Sequence, residues 1–312
     1  MRKVLIIDQM HDSIIPRLES IGVQPTYMPN ITAEEVHQHI PEYEGLILRS
    51  KMKVKVDLLD KAPHLKFVAR AGAGVDEIDE EYLEQRKITL INAPEGNMDA
   101  VGEHTIGMLL SLLNKLHQAD KEVRNYQWRR EENRGYELGN LTVGIVGYGN
   151  MGQAFAQRLT GFGCKVIAYD NGKTGYGDQY AEEVNFKTLQ RDADVLSFHI
   201  PLNEANRFLV SQSYLDGFHK PLFLLNLGRG EIMSLKTVQW GLQSGKLRGA
   251  GLDVLENEKL HTLTEEQKEV FDWMIQQENI LFTPHVGGWT YESYERINEV
   301  LVRKIKALLE EI

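Results

Sequence analysis

Three ionisable side chains follow short apolar runs in the second half of the chain. They are Arg229 in Leu225-Asn226-Leu227-Gly228-Arg229-Gly230, Glu258 after Asp253-Val254-Leu255-Glu256-Asn257, and His285 in Phe282-Thr283-Pro284-His285-Val286-Gly287-Gly288. A guanidinium can clamp a carboxylate through two parallel hydrogen bonds and polarise a carbonyl beside it. An imidazole can take a hydroxyl proton as a hydride leaves, and a carboxylate behind it can raise its pKa and fix its tautomer. Each residue also has a plainer reading: an arginine can cap a neighbouring helix, a loop glutamate can be solvated, and a histidine after proline can be a structural hydrogen-bonder. A nucleotide signal upstream ties the three together. The run Val143-Gly144-Ile145-Val146-Gly147-Tyr148-Gly149-Asn150-Met151-Gly152 is followed by Asp170, which closes the next apolar run, Lys165-Val166-Ile167-Ala168-Tyr169. Gly147, Gly149 and Gly152 permit a tight turn, approach of backbone to a pyrophosphate, and close packing of the next helix. That helix, opening near Asn150 and Met151, offers unpaired N–H groups to phosphate. Asp170 as acceptor for both ribose hydroxyls favours NAD over NADP, and no basic residue follows it before Lys173. In open α/β sheets ligands bind outside the carboxyl ends of the strands, so Arg229, Glu258 and His285 can all reach the nicotinamide.

The elements that must position these residues alternate along the chain. Val4 to Asp8, Gln24 to Met28, Gly45 to Arg49, Leu65 to Ala71 and Ile88 to Asn92 read as strands, separated by helices around His11 to Ile21, Thr32 to His39, Val56 to Lys61 and Glu80 to Arg86. Such alternation means a parallel sheet covered on both faces. A long apolar helix is expected from Ala100 to about Asn125. A second series then begins, with strands Thr142 to Val146, Lys165 to Tyr169, Val195 to Ile200, Leu222 to Leu227, Ala250 to Val254 and Ile280 to Pro284. A dinucleotide site normally sits at the first strand of its domain. The sequence before Gly147 must therefore form a separate, smaller doubly wound domain, and the last helix, Tyr291 to Leu309, is free to cross back to it.

Composition bounds the rest. A chain of 312 residues is long enough for roughly two domains and buries about three quarters of its extended surface. With 35 basic and 45 acidic residues the net charge is −10, which argues against nucleic acid or an anionic membrane as partner. Cys164, the only cysteine, can form no internal disulfide or thiolate metal site and suits a reducing compartment. No signal sequence precedes the first strand and no apolar run approaches the ~18 residues of a membrane span, so a soluble cytoplasmic protein is expected. No metal is expected: His37 and His39 point to different faces of their helix, and Glu103-His104 lacks the second histidine of a zinc motif. No nucleophile-elbow or Walker sequence is present.

At these motifs the chain resembles the D-isomer-specific 2-hydroxyacid dehydrogenases over nearly its whole length. Asn226 to Gly230 resembles the family's Asn-x-x-Arg-Gly motif, Asp253 to Glu258 its Asp-Val-x-x-x-Glu motif, and Pro284 to Gly288 its Pro-His-x-x-Gly motif. The family's acid lies 29 positions after the arginine, which points to 258 and so to Glu258 over Glu256. The resemblance implies that Arg229 orients substrate, His285 is the acid/base and Glu258 tunes it. It also implies cofactor contacts from Asn226, Leu227, Gly228, Gly287 and Gly288, with Asp253 on the nicotinamide carboxamide and His199 and Pro201 along the adenine side. Lys259 departs from the proline common there, leaving the rigidity of that loop open. The implied architecture is α/β, with two doubly wound parallel-sheet domains. A Rossmann NAD-binding domain, residues 99–285, is inserted into a flavodoxin-like substrate domain, residues 1–98 and 286–312. The cleft between them should close on substrate and exclude water. A homodimer is implied as well, with the helix near Ala100 to Leu116 at the interface.

Two N-terminal loops bear on the substrate. Arg49-Ser50-Lys51 and Arg70-Ala71-Gly72-Ala73-Gly74-Val75-Asp76 resemble the substrate loops of D-3-phosphoglycerate dehydrogenases, with Ala69 in place of the first glycine of the second motif. Arg49, Arg70 and Arg130 match basic positions that meet the substrate phosphate there, and arginines in both loops of an acidic chain suit a doubly charged ligand. Alternatively, Arg70 pairs with a nearby acid and Arg130 is solvated. The expected reaction is NAD-dependent interconversion of D-3-phosphoglycerate and 3-phosphohydroxypyruvate, as in serine biosynthesis. The alternatives are a hydroxypyruvate or glyoxylate reductase, another D-2-hydroxyacid dehydrogenase or, more remotely, an NAD-sensing binding protein of the same fold. The sequence ends soon after its last helix, so serine feedback through an added C-terminal domain is not expected.

Overall fold

The computed structural model describes residues 2–311. They divide into two compact units, residues 2–98 with 289–311 and Asp99–Gly288. In the first, strands β1 (Arg2–Ile6), β2 (Val23–Tyr27), β3 (Gly45–Leu48), β4 (Phe67–Arg70) and β5 (Thr89–Asn92) are all parallel and lie in the order β2-β1-β3-β4-β5. This is the flavodoxin-like order, in which the winding reverses between β1 and β3. Successive residues of β1 and the position after it feed opposite cores: Val4 and Ile6 enter one, Leu5 and Ile7 the other. Both faces of the sheet are therefore covered. The last helix, Tyr291–Glu311, contributes Ile297, Leu301 and Ile305 to the core of Val4 and Ile6. Their spacing of four puts them on one helix face, and each buried aliphatic chain is worth about 1.5–3 kcal/mol.

The second unit is a sheet of β6 (Thr142–Val146), β7 (Lys165–Tyr169), β8 (Glu182–Glu183), β9 (Val195–Phe198), β10 (Leu222–Asn226), β11 (Leu247–Leu252) and β12 (Ile280–Phe282). All are parallel, in the order β12-β11-β10-β9-β6-β7-β8. The winding reverses between β6 and β9, the Rossmann arrangement. Three helices packed into the core of Leu196 and Leu224 begin at side-chain caps: Asn185 accepts from Thr188 N–H, Ser234 from Thr237 N–H, and Thr264 forms a capping box with Gln267.

Two elements differ from the pattern reading. The single helix expected from Ala100 to Asn125 is two helices, Pro94–Leu113 and Leu116–Arg124. Lys115 adopts a left-handed φ of 52° between them, and the Leu113 carbonyl accepts the N–H of Tyr136 from the returning loop. A tertiary partner for that carbonyl ends the helix where periodicity alone would continue it. The edge strand β8 is two glutamates, too short and charged to carry an apolar signal.

Candidate active site

The glycine turn follows β6 at the point where the second sheet reverses. Gly147 has φ +91°, and a Cβ there would stand 2.6 Å from the His199 carbonyl oxygen. A Cβ on Gly152 would collide with the Gly147 carbonyl, so the helix Asn150–Leu159 approaches as closely as it does only because that residue is glycine. Gly149 faces open space, with nothing within 4 Å of where a Cβ would stand. It caps the helix without a side-chain bond, which leaves the N–H groups around Asn150 and Met151 for an anion. These features fit the pyrophosphate of a dinucleotide. Asp170, after β7, accepts Tyr148 N–H at 2.8 Å and Gly172 N–H at 2.9 Å, while Lys173 Nζ donates to the Tyr148 carbonyl at 3.0 Å. Tyr148 itself is buried with its hydroxyl on Asp178 (2.8 Å), and burial followed by that carboxylate pushes its pKa up. The segment after Asp170 is thus tied to the glycine turn from both sides. His199, after β9, meets Ser197 Oγ at 2.8 Å and stacks near Phe155. One edge of the residue reaches solvent, but the ring lies deep enough that burial pulls its pKa down to about 4. Pro201 accepts Asn206 Nδ2 through its carbonyl at 2.9 Å.

The three ionisable residues follow adjacent strands at one edge of the same sheet, Arg229 after β10, Glu258 beyond β11 and His285 after β12. Asn226 is fully buried and shapes the first of these loops, accepting Gly228 N–H at 3.1 Å and donating to the Arg229 carbonyl at 3.0 Å. A Cβ on Gly230 would collide with the Leu255 carbonyl, so the arginine loop lies against the loop that leads to Glu258. Leu227 is buried beside it. Arg229 Nη1 donates to the Gly228 carbonyl at 2.8 Å, fixing the start of its fork. His285 Nδ1 stands 2.9 Å and 3.0 Å from the two carboxylate oxygens of Glu258. An ionised carboxylate only accepts, so Nδ1 carries the proton and Nε2 is the atom that can exchange one with a ligand. Glu256 is used elsewhere: it accepts Leu235 N–H at 2.9 Å, at the start of the helix Leu235–Gln243. Lys259 N–H donates to Asn257 Oδ1 at 3.1 Å, a bond that a proline there could not make.

Asp253 organises the histidine loop from beneath. Its Oδ1 accepts Val286 N–H (2.9 Å) and Thr283 Oγ1 (2.5 Å), its Oδ2 accepts Gly287 N–H (2.8 Å), and its carbonyl accepts His285 N–H (2.8 Å). Gly287 is required, since a Cβ would lie 2.9 Å from the same carboxylate. His285 sits at φ +56°, a left-handed conformation costing on the order of 1–3 kcal/mol in a non-glycine residue, which the bonds from Asp253 sustain. His104 completes this support. Thr283 gives its proton to Asp253, so His104 Nε2, 3.1 Å from Thr283 Oγ1, is the donor to that oxygen.

The residues expected to meet substrate at Arg49 and Arg70 lie in the first unit, at the carboxyl ends of adjacent strands β3 and β4. The backbone N–H groups of Arg49, Ser50 and Lys51 all donate to Asp8 Oδ2, at 2.6, 3.1 and 3.2 Å. Lys51 Nζ donates to the carbonyls of Pro29 and Ile31, which makes it a brace for the loop. Arg49 lies over Trp289, 4.1 Å from the ring centroid, and 5.5 Å from that of Tyr294. In the second loop Ala71 N–H donates to the Leu48 carbonyl, Gly72 takes φ +144°, and the Arg70 guanidinium lies over it where a Cβ would stand. The Ala73 carbonyl accepts Asn92 Nδ2, and among the described residues the N–H groups of Ala73, Gly74 and Val75 have no partner. Three successive amides of this kind suit a carboxylate. Arg130 belongs to the second unit, on an exposed loop that Glu122 fastens through Arg129 (3.2 Å) and Asn133.

The sequence reading missed Asp8, His104, Thr283 and Trp289. Asp8 closes the first strand as Asp170 closes β7, and that parallel was its only signal. In the sequence His104 reads only as a fragment of a metal motif, because its partners lie some 150 to 180 residues away, at Asp253 and Thr283.

Residues 106–287 match the family model of the D-isomer specific 2-hydroxyacid dehydrogenase, NAD binding domain. A hydroxypyruvate reductase of Thermotoga maritima is 32% identical over 276 residues, covering 88% of this chain and 88% of that protein. A D-3-phosphoglycerate dehydrogenase of Methanocaldococcus jannaschii is 30% identical over 314 residues, covering 99% of this chain, which spans only 58% of that protein's length. Among solved structures, an Aquifex aeolicus D-lactate dehydrogenase complexed with NAD and lactic acid superposes with a TM-score of 0.85 at 24% identity, covering 99% of this chain and 96% of that one, a likeness of fold.

Proposed function

The chain belongs to the D-isomer-specific 2-hydroxyacid dehydrogenases, and we propose that it interconverts a D-2-hydroxy acid and its 2-keto acid with NAD, most specifically D-3-phosphoglycerate and 3-phosphohydroxypyruvate. Bound NAD supplies the hydride acceptor. His285 Nε2 takes the hydroxyl proton as the hydride leaves C2, and Glu258 stabilises the imidazolium that results. Arg229 binds the carboxylate through its fork and polarises the nascent carbonyl. In the reverse direction the imidazolium returns its proton to the keto oxygen. Asp253 and Thr283 hold His285 in its left-handed conformation throughout.

The observation that carries the phosphorylated substrate is the arginine pair Arg49 and Arg70, one at the carboxyl end of each of two adjacent strands in a chain of net charge −10. A second reading, a hydroxypyruvate reductase without preference for phosphate, is favoured by the relative of that name that matches this chain over 88% of both lengths. Steady-state kcat/KM for phosphohydroxypyruvate, hydroxypyruvate and glyoxylate with NADH separates them. The phosphorylated substrate should lead, and a higher value for either of the others would replace the first reading by the second. The protein is also proposed to form a homodimer: Leu116, Val123, Tyr126 and Trp128 form an exposed apolar stretch along its second unit. Sedimentation at the mass of a single 35.6 kDa chain would remove that part.

A further inference from the structure

Arg49 and Lys51 are the cations of the first substrate loop, and among the described residues neither has a carboxylate partner. Lys51 is held by two carbonyls. Asp8 takes the Arg49 backbone, not its guanidinium, which among the described residues has no carboxylate partner and gives a bond to the Gln9 carbonyl at 3.3 Å. Its plane is fixed instead by aromatic rings, Trp289 at 4.1 Å and Tyr294 at 5.5 Å, while Tyr294 stacks on Trp289 at 5.0 Å. Trp289 is 48% exposed, an apolar surface whose covered part serves the guanidinium. A guanidinium supported on a ring keeps its five donors in one plane, and its weakly hydrated face is covered while its edge still offers a two-pronged fork.

We infer that Trp289, with Tyr294 beneath it, is a specificity-determining positioning residue that holds Arg49 flat as a subsite for a second anionic group on the substrate, a phosphate or a distal carboxylate. The inference rests on the phosphate reading above for its physiological ligand but not for its geometry. A stacked arginine has lost its rotamer freedom before the ligand arrives, so the fork binds an oxyanion without that ordering cost. A 2-keto acid without a second anionic group, such as hydroxypyruvate, has nothing to give this subsite, and the stack therefore contributes to the ratio between the two substrates.

Two measurements on the full chain decide it. The first is the ratio of kcat/KM for phosphohydroxypyruvate over hydroxypyruvate in wild type, Trp289→Leu and Trp289→Phe. The Leu variant should lower the ratio about three- to fivefold through KM, the worth of a half-exposed cation–π contact, and Phe should restore most of it. Equal losses for both substrates, or no rescue by Phe, would overturn the inference. The second is tryptophan fluorescence during titration with inorganic phosphate, with Trp289→Phe subtracted to isolate Trp289 from the other three tryptophans. Trp289 should respond, and Arg49→Gln should abolish the response. A silent Trp289, or a response that survives Arg49→Gln, also overturns it. A responding Trp289 in an enzyme that ignores phosphohydroxypyruvate would instead retire the phosphate reading and leave the subsite standing.

Discussion

The two units obey one winding rule and use its consequence in opposite ways. In each, the sheet reverses between two neighbouring strands and opens a crevice at their carboxyl ends, β6 and β9 in the second unit, β1 and β3 in the first. The second unit lines its crevice with Gly147, Gly149 and Gly152 and leaves helix N–H groups unclaimed. The first unit fills its own with Asp8, whose carboxylate takes the three N–H groups of Arg49, Ser50 and Lys51. Had that loop kept its amides free, it would have been a second anion site. With Asp8 in place, the proposed substrate contacts fall instead to the side chain of Arg49 and to the amides of Ala73, Gly74 and Val75 one strand further along. A doubly wound sheet can thus be a nucleotide holder or a rigid frame, depending on whether the crevice carries glycine or an acid.

The largest test of this division is at His285. If the second unit holds the proton-transfer group, His285→Gln should lower kcat about 10²- to 10⁴-fold while NADH binding, followed by its fluorescence, stays unchanged. Retention of a tenth of the wild-type kcat would move the chemistry elsewhere.

A pH dependence should separate the units next. Burial holds His199 near pKa 4 in the fold, against an ordinary histidine value of 6.5, so the unfolded chain binds an extra proton between these values. The stability His199 allows is therefore complete above about pH 6.5 and is lost as pH falls toward 4, by up to about 3 kcal/mol. Urea unfolding of the wild type should weaken more steeply over that window than that of His199→Gln. Parallel curves would mean that the ring is not buried as a neutral group.

Asp8→Ala should come third. Three N–H groups lose one acceptor, at a cost of about 1–3 kcal/mol, and KM for the keto acid should rise while NADH affinity holds. A change in NADH affinity of similar size would break the claim that Asp8 serves only the first unit. Asp8→Asn, which keeps an acceptor oxygen, should fall between.

How much of this could be read beforehand follows from which interactions are local. Thr142–Val146 and Lys165–Tyr169 were legible to the residue, because each is a short apolar run closed by a glycine turn or an acid. The pairing of Glu258 rather than Glu256 with His285 lay in motif spacing, whereas the reason for it, the capping of Leu235 by Glu256, did not. The different fates of Arg49 and Lys51 were illegible, two residues apart in one loop. One is settled by Trp289, near the other end of the chain, and the other by the carbonyls of Pro29 and Ile31. The break at Lys115 likewise depends on Tyr136, which periodicity within the helix cannot see.

The smallest expected effect lies at Asp170, and it asks whether an acid can serve both purposes that Asp8 and the glycine turn divide between them. Asp170 already accepts Tyr148 N–H and Gly172 N–H, so it frames the loop as Asp8 does. Yet a carboxylate has about four lone-pair sites, and two remain for ribose hydroxyls. Its charge should also repel a 2′-phosphate, although Lys173, bonded to the Tyr148 carbonyl, offsets part of that repulsion. Asp170→Ala should therefore reduce the preference for NADH over NADPH, measured as a ratio of kcat/KM values, by about tenfold, the worth of one or two charge-assisted hydrogen bonds. If the ratio is unchanged while stability drops, Asp170 is a frame only, and the second unit resembles the first more closely than its open glycine turn suggests.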